Sequence, residues 1–150
     1  MKTTVLILIT ALTLFTSCSK DDEVLSNEEV LTEAEIPAEI KTYISTHFDG
    51  HSIIRAEKET DNQIINYEIY LSENFNLEFN SEYEITEIDG VTELPNSVIP
   101  QPILDYVTLN YPYHFISDWE LEINHQQIEL SNDLELDFDL DGNFLSIDND

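Results

Sequence analysis

Cysteine, glycine and basic residues are scarce in this sequence, and each scarcity excludes a class of protein. One cysteine in 150 residues rules out an internal disulfide framework. Only 3 glycines and 5 prolines indicate regular elements rather than long loops. The 5 Lys and Arg residues stand against 32 Asp and Glu residues, so the formal charge is −27. Such a charge excludes surface binding to nucleic acid or anionic lipid, because both would repel it.

Apolar residues are plentiful despite this charge. Hydrophobic residues make up 41% of the chain and aromatic residues 10%, which is enough material for a packed core. A wholly disordered acidic chain is therefore not expected. The length allows one compact unit or two small ones.

The position of the lone cysteine indicates its role. Residues 1–4 form a short start with one positive side chain, and an apolar run broken only by threonines follows at 5–15. This run is too short to cross a bilayer as a helix, which needs about 20 residues. Residues 1–17 are predicted to be a signal peptide. The small residues before Cys18 resemble a bacterial lipobox, in which the cysteine is lipidated; the alternative is a signal peptide with an incidental cysteine.

An acidic run, Ser-Lys-Asp-Asp-Glu at 19–23, follows Cys18 directly. It resembles the surface-export signal of Bacteroidota lipoproteins, which predicts an outer membrane lipoprotein exposed on the cell surface. The alternative is a periplasm-facing protein in which the run is only a solvated tether. Residues 18–35 are predicted to be an acidic tether without firm structure, in which Ser26 and Glu29 can cap a helical turn.

The remainder of the chain contains an internal repeat. At an offset of 63, six residues recur unchanged: Ile36, Pro37, Ile40, Tyr43, Ile53 and Glu57 return as Ile99, Pro100, Ile103, Tyr106, Ile116 and Glu120. At an offset of 59, seven more recur: Ile69, Leu71, Ser72, Leu77, Phe79, Ile88 and Asp89 return as Ile128, Leu130, Ser131, Leu136, Phe138, Ile147 and Asp148. The offset changes where a hairpin turn around Asp61 and Asn62 is longer in the first copy, and length changes belong in turns.

Each copy begins with a helical pattern and continues with strands. Ile36, Ile40, Tyr43, Ile44 and Phe48 form one apolar stripe at the helical period, and the second copy repeats it up to Pro112. The period then becomes two, with apolar residues on one face and carboxylates on the other, over 65–71, 75–79 and 134–140. The Asp141-Gly142 pair is the strongest hairpin signal.

These patterns predict an α+β fold: a tandem repeat of a helix plus a four-stranded antiparallel sheet, with the helices packed on one sheet face. The first repeat is predicted at 36–89, a linker at 90–98 and the second repeat at 99–150. A unit of about 50 residues buries little surface alone, so the two copies are expected to share or abut their cores.

The repeat resembles a known family. The helix plus four-strand plan, the proline at each helix start, the Tyr-Glu-Ile-Tyr-Leu stretch at 67–71 and the Leu-Asp-Phe-Asp-Leu-Asp-Gly-Asn-Phe-Leu stretch at 136–145 look like the PepSY-like, beta-lactamase-inhibitor-like lipoproteins. The resemblance covers almost the whole mature chain and includes no catalytic signature. It implies a non-enzymatic domain whose open sheet face meets other proteins, and it carries over no site residue by residue.

One motif has the spacing of a calcium loop. Asp137, Asp139, Asp141 and Asp148 supply early alternating oxygens and a late carboxylate, and Gly142 supplies a sharp turn. The competing interpretation is a strand that enters a hairpin, in which alternate carboxylates stand about 7 Å apart instead of converging on one ion. The hairpin is preferred, so calcium is an alternative cofactor and otherwise none is expected.

Other chemistry has little support in the sequence. The four histidines, His47, His51, His114 and His125, share no spacing typical of a metal site. No nucleophile elbow or glycine-rich phosphate loop is present. The single tryptophan, Trp119, is expected to pack in the core, on one strand face with Ser117, Leu121 and Ile123.

Two functional classes remain. The first is a non-enzymatic envelope lipoprotein that binds another protein, as an inhibitor or sensor, through an open acidic sheet face at Glu68, Tyr70, Glu78, Glu129 and Glu135. The second is a cation-binding envelope protein that uses the carboxylates of 137–148. The partner in the first case is unidentified and is expected to be basic, because the charge favours Lys or Arg at the contact.

Overall fold

The computed structural model describes residues 27–148, and the predicted signal peptide, Cys18 and the acidic run lie outside the described residues. Nine antiparallel strands form one open sheet in sequence order, with two helices. The strands are β1 (Asn27–Val30), β2 (Ile53–Asp61), β3 (Ile64–Leu71), β4 (Phe75–Phe79), β5 (Ile85–Gly90), β6 (Ile116–Leu121), β7 (Gln126–Leu130), β8 (Leu134–Phe138) and β9 (Phe144–Asp148). The helices are α1 (Ala38–His47) and α2 (Gln101–Asn110), and short 3-10 turns lie at Ser72–Asn74 and Asn96–Val98.

The two copies join edge to edge into a single sheet. Strands β2–β5 follow α1, strands β6–β9 follow α2, and β5 of the first copy pairs with β6 of the second. The α+β class and the helix plus four-strand order therefore appear as predicted, within one continuous sheet. No helix of the described part of the chain is long and apolar enough to cross a membrane.

The helices pack on one face of the sheet through equivalent contacts. Ile40 and Ile103 are both fully buried, as expected for the two apolar stripes. The Tyr43 ring meets the Phe79 ring edge-on at 5.4 Å between centroids, and Tyr106 meets Phe138 in the same way at 5.4 Å. Pro37 and Pro100 precede the first turns, where a missing amide hydrogen costs nothing.

Part of the segment predicted to be an unstructured tether is ordered. Residues 27–30 form β1, which pairs with β2, and the Thr32 N–H donates to the Glu35 carboxylate at 2.8 Å. All four β1 residues are exposed. Backbone pairing with a free strand edge, which alternation in the sequence does not reveal, holds this segment.

The linker region is also partly built into the fold. Gly90 is the last residue of β5, and Leu94 is buried in the core with 2% of its surface exposed. The Leu94 N–H donates to the Ile116 carbonyl at 2.9 Å. This segment therefore connects the copies through apolar packing and not only through chain continuity.

Each copy contains two β-bulges at equivalent places. The extra residues are Ile54 and Ser117 in the first strands of the copies, and Thr86 and Leu145 in the last strands. Each extra residue shifts the alternation by one position, so a side chain after the bulge changes sheet face. These shifts decide which carboxylates share a face.

Candidate functional site

Two rows of polar side chains cross the face of the sheet opposite the helices. We call them the first ladder and the second ladder, and together the acidic face. Across strands β2 to β9, directly paired residues make up the first ladder: Glu57, Glu68, Glu78, Glu87, Glu120, Gln127, Asp137 and Ser146. The second ladder, paired in the same way, is Arg55, Tyr70, Asn76, Asp89, Asp118, Glu129, Glu135 and Asp148.

Carboxylates stand directly opposite one another along both ladders. Glu78 pairs with Glu87, and Glu87 pairs with Glu120, so the junction between the copies joins like charges. Directly opposed residues in antiparallel sheets have Cβ atoms about 4.5–5.5 Å apart, and like charges in this position are destabilising. The acidic face therefore lowers the stability of the folded protein.

Among the described strands, Lys and Arg side chains occur only on β2, at one end of the sheet, and His125 lies 3.8 Å from the Asp137 carboxylate near the other end. No Lys or Arg follows Lys58 in the sequence. On β2, the Arg55 guanidinium bonds the Glu28 carboxylate at 3.1 Å, contacts Glu57, and lies 5.8 Å from the centre of the Tyr70 ring. Strands β3 to β9 consequently carry carboxylates without any Lys or Arg between them.

The central carboxylates hold their protons more tightly than free ones. Burial, together with the nearby Glu78 and Glu120, raises the pKa of Glu87 to about 7. Burial, together with Glu87 and Asp89, raises the pKa of Asp118 to about 7. Burial likewise raises the pKa of Glu120. At neutral pH the centre of the acidic face is therefore only partly ionised.

Hydrogen bonds are found nearer the ends of the ladders. The Asn76 amide donates to the Glu68 carboxylate at 2.8 Å, and the hydroxyl of Ser146 donates to the Asp137 carboxylate at 2.8 Å. A hydrogen bond to Glu68 raises the pKa of Tyr70 to about 12. Glu87 and Asp118 receive no such side-chain bond from any residue of 27–148, so no donor offsets the repulsion that their half-buried carboxylates experience from like-charged neighbours.

The predicted binding residues all lie on these ladders. The structure places Glu68 and Glu78 in the first ladder and Tyr70, Glu129 and Glu135 in the second. Sequence reasoning missed the centre of the acidic face: Glu87, Asp89, Asp118 and Glu120. The bulges at Thr86 and Ser117 interrupt the alternation of apolar and polar residues on either side of the junction, so the pattern does not assign these carboxylates to a face. The recurrence of Glu57 as Glu120 was the one signal in the sequence that pointed to this region.

The four aspartates of the calcium-like motif do not converge. The Asp139 carboxylate accepts the backbone N–H groups of Asp141 at 3.0 Å and Asn143 at 2.8 Å, so it closes the hairpin turn. Asp137 lies in the first ladder, and Asp148 pairs with Glu135 in the second. Within residues 27–148, no three His, Cys, Asp or Glu side chains are grouped so as to hold a metal ion.

The predicted end of β8 was wrong by two residues. The strand ends at Phe138, and Leu140, expected on the apolar face, is 56% exposed in the turn. Asp139 likewise leaves the strand, because its carboxylate bonds the turn backbone instead of continuing the alternation. Gly142 adopts φ +82°, which an L-residue rarely does, and this fixes the turn at 139–143.

Trp119 is buried with 5% of its surface exposed, as expected for a core residue, and its indole N–H donates to Gln126 at 3.0 Å. The predicted neighbours on its strand face were wrong: Leu121 is 40% exposed and Ile123 97% exposed. Ser117 is the extra residue of a bulge, and β6 ends at Leu121, so strict alternation does not hold there.

The histidines lie apart from one another. His47 Nδ1 bonds the Ser97 hydroxyl at 3.0 Å, and His51 Nδ1 bonds the Ser72 carbonyl at 3.2 Å. His114 Nδ1 lies 3.4 Å from the Ser131 hydroxyl, in the place that His51 has in the first copy. His47 thus bonds the 3-10 turn at Asn96–Val98, and His51 and His114 bond the residues that follow β3 and β7, so these three histidines form no shared site.

Comparison with protein families identifies the family to which this architecture belongs. The family model described as "Putative beta-lactamase-inhibitor-like, PepSY-like" matches residues 21–87 and again residues 66–146. The chain belongs to this family. The first match ends within β5, and the second runs from β3 through the second copy into β9, so the two matches overlap over residues 66–87.

Solved structures of similar proteins share the PepSY-like fold of this chain. A "putative calcium-regulated periplasmic protein" from Bacteroides thetaiotaomicron is 30% identical with a TM-score of 0.77, over 81% of this chain and 97% of its own. A periplasmic protein of unknown function from Bacteroides vulgatus is 31% identical with a TM-score of 0.77, over 82% of this chain and 100% of its own. The comparison with curated proteins gave no match.

A third similar structure is a periplasmic protein of the DUF2874 family from Bacteroides vulgatus. It is 29% identical with a TM-score of 0.76, over 87% of this chain and 100% of its own. The similar proteins are thus described as periplasmic, which is consistent with a place in the bacterial envelope for this chain.

Proposed function

We propose that this protein is a non-enzymatic envelope lipoprotein that binds a basic protein across its acidic face, as an inhibitor or a sensor. The observation that carries the proposal is the pairing of like charges at Glu78, Glu87 and Glu120, without any Lys or Arg nearby. Such a face lowers the stability of the free protein. Lys and Arg side chains from a partner would remove the repulsion, so the acidic face favours association with a cationic surface.

The location in the envelope supports this function. Lipidation at Cys18 would anchor the protein, and the acidic run at 19–23 supports export to the outer face of the outer membrane. A surface position would bring the acidic face to secreted or extracellular proteins. A periplasm-facing position would restrict the partner to envelope proteins.

Cation binding is the second candidate function. One similar protein is described as calcium-regulated. In this chain the carboxylates of the ladders attract cations, but the aspartates of 137–148 point to different partners. The protein-binding function is therefore preferred, with cations as screening ions.

Capture from the native envelope tests the proposal. The immobilised wild-type protein is expected to retain a basic protein that the variant Glu87→Gln/Asp118→Asn/Glu120→Gln does not retain. A matched control, Glu39→Gln/Glu73→Gln/Glu82→Gln, removes the same number of carboxyl groups from exposed positions outside the ladders. The association rate of the captured partner should fall as salt rises.

Two results would reject the proposal. Equal retention by the two triple variants would show that net charge, and not the acidic face, attracts the partner. Salt-independent association of an acidic or neutral partner would remove the electrostatic basis of the proposal.

A further inference from the structure

Each copy has a groove between the last turns of its helix and the start of the strand that follows. The groove of the first copy measures about 590 Å³ and the groove of the second about 560 Å³. Their walls are equivalent in the repeat: Ile44 corresponds to Val107, Phe48 to Tyr111. The second groove is lined by no residue of the acidic face, whereas the first reaches Arg55 of the second ladder.

One exposed position of the second groove is apolar where the first groove is polar. Phe115 lines the second groove and is 37% exposed, and its equivalent in the first groove is Ser52. Because the first copy builds the same elements with a serine at this position, the fold does not require the aromatic side chain. Exposed aromatic and aliphatic side chains beside a groove are typical of a binding surface.

The charges of the two grooves also differ. The first groove is lined by Glu33 and Asp49 together with Lys41 and Arg55, so its charges balance. In the second groove Leu104 takes the place of Lys41, and the carboxylates that remain are Glu93 and Asp105. The second groove therefore combines an apolar floor with a negative rim.

We propose that the second groove binds a peptide segment of a partner protein in which a large apolar side chain is flanked by Lys or Arg. The apolar side chain would pack against Leu104, Tyr111 and Phe115, and the flanking cations would meet Glu93 and Asp105. A second molecule of this protein is excluded as the occupant by charge, because each whole chain has a formal charge of −27. The groove volume is within the range that binds a compact ligand.

Three short peptides test this with the purified protein, followed by NMR of the backbone amides. The probes are acetyl-Gly-Lys-Trp-Lys-Gly-amide, the same peptide with Glu for Lys, and the same peptide with Gly for Trp. The Lys-Trp-Lys peptide is expected to shift the amides of Leu104, Tyr111 and Phe115 and to bind there at least about tenfold more tightly than either other peptide, a difference of ~1.4 kcal/mol.

Variants taken from the first copy provide the matched control. Leu104→Lys with Phe115→Ser introduces the residues that line the first groove at the equivalent positions, Lys41 and Ser52. This double variant should lose most of the binding of the Lys-Trp-Lys peptide while its dispersed spectrum shows that it is folded. A second variant, Glu93→Gln/Asp105→Asn, should keep the apolar floor and lose the preference for Lys over Glu.

The inference is overturned if the groove amides do not move, if the Glu-Trp-Glu peptide binds equally well, or if the double variant binds unchanged. The Lys-Gly-Lys peptide separates this result from the proposed function, because it reports binding at the amides of Glu87 and Asp118 alone. If the groove amides do not shift but those of Glu87 and Asp118 do, this inference is wrong and the proposed function stands. The opposite result rejects binding at the acidic face and retains the groove.

Discussion

Glu87 on β5 lies directly opposite Glu120 on β6, at the junction where the two copies of the repeat join into one sheet. The neighbouring pair in the sheet, Ile88 and Trp119, is buried on the helix side. Apolar packing on one face thus stabilises a junction at which carboxylates on the other face repel one another. This arrangement makes the stability of the protein sensitive to pH, salt and any cationic partner.

The pH dependence of stability follows from the raised pKa values of Glu87 and Asp118. Both pKa values are about 7 in the folded protein and lie above the ordinary values of 4.5 and 3.8. The folded state therefore binds more protons than the unfolded state between about pH 4 and pH 7, and the unfolding free energy falls as the pH rises through this window. The melting temperature at pH 5 should exceed that at pH 8 by about 5 °C or more in calorimetry.

Substitution of Glu87 and Asp118 tests whether these two groups cause the pH dependence of stability. Glu87→Gln/Asp118→Asn should raise the unfolding free energy at pH 8 by about 1–2 kcal/mol, after allowance for solvent screening, and flatten the profile. Glu39→Gln/Glu82→Gln removes two exposed carboxylates elsewhere and should leave the slope unchanged. A wild-type protein that gains stability from pH 5 to pH 8 contradicts the argument.

Screening of the acidic face predicts how salt acts. At matched ionic strength, sodium chloride and calcium chloride should raise the melting temperature alike, because both screen the ladders without a specific site. Differential scanning fluorimetry measures this directly. A rise of several degrees at micromolar calcium alone would instead require a true calcium site at Asp137 to Asp148.

The equivalent core residues predict equal sensitivity in the two copies. Ile40→Ala and Ile103→Ala should each cost about 2–5 kcal/mol in urea unfolding, since both side chains are fully buried. Leu109→Ala, at an 80% exposed position of α2, is the control and should change stability by less than about 0.5 kcal/mol. A large loss in only one copy would argue against a shared core.

The turns at 80–84 and 139–143 use the same hydrogen bonds. Asn80 accepts the N–H groups of Glu82 at 2.9 Å and Glu84 at 3.0 Å, as Asp139 does two and four residues on. Asp139→Asn should therefore be tolerated, whereas Asp139→Ala should cost about 1 kcal/mol in urea unfolding. An equal loss for both substitutions would mean that the negative charge, and not turn closure, is required.

The proposed lipidation of Cys18 predicts the behaviour of a cysteine variant. Cys18→Ala should abolish labelling by radioactive palmitate and release the protein from the membrane fraction, because the acyl chains would be its anchor. Neutral residues at 20–23 should keep the lipid and reduce protease accessibility on intact cells. Membrane association of Cys18→Ala would reject lipidation as the cause of attachment.

Local periodicity determined much of this protein from sequence alone. The stripes through Ile40 and Ile103 predicted the helices, because a side chain's face in a helix depends only on its spacing along the chain. The offset from Phe79 to Phe138 identified the repeat, and Asp141-Gly142 identified a hairpin whose Gly142 has positive φ. These features depend on neighbouring residues and not on the rest of the fold.

Tertiary structure alone decided which carboxylates meet. The bulges at Thr86 and Ser117 shift the alternation, so Glu87, Asp118 and Glu120 come together at the junction between the copies. The same is true of β1, whose backbone pairs with β2 and whose Glu28 side chain bonds Arg55 on that strand. Strand register and edge pairing depend on backbone groups distant in sequence, which residue spacing cannot reveal.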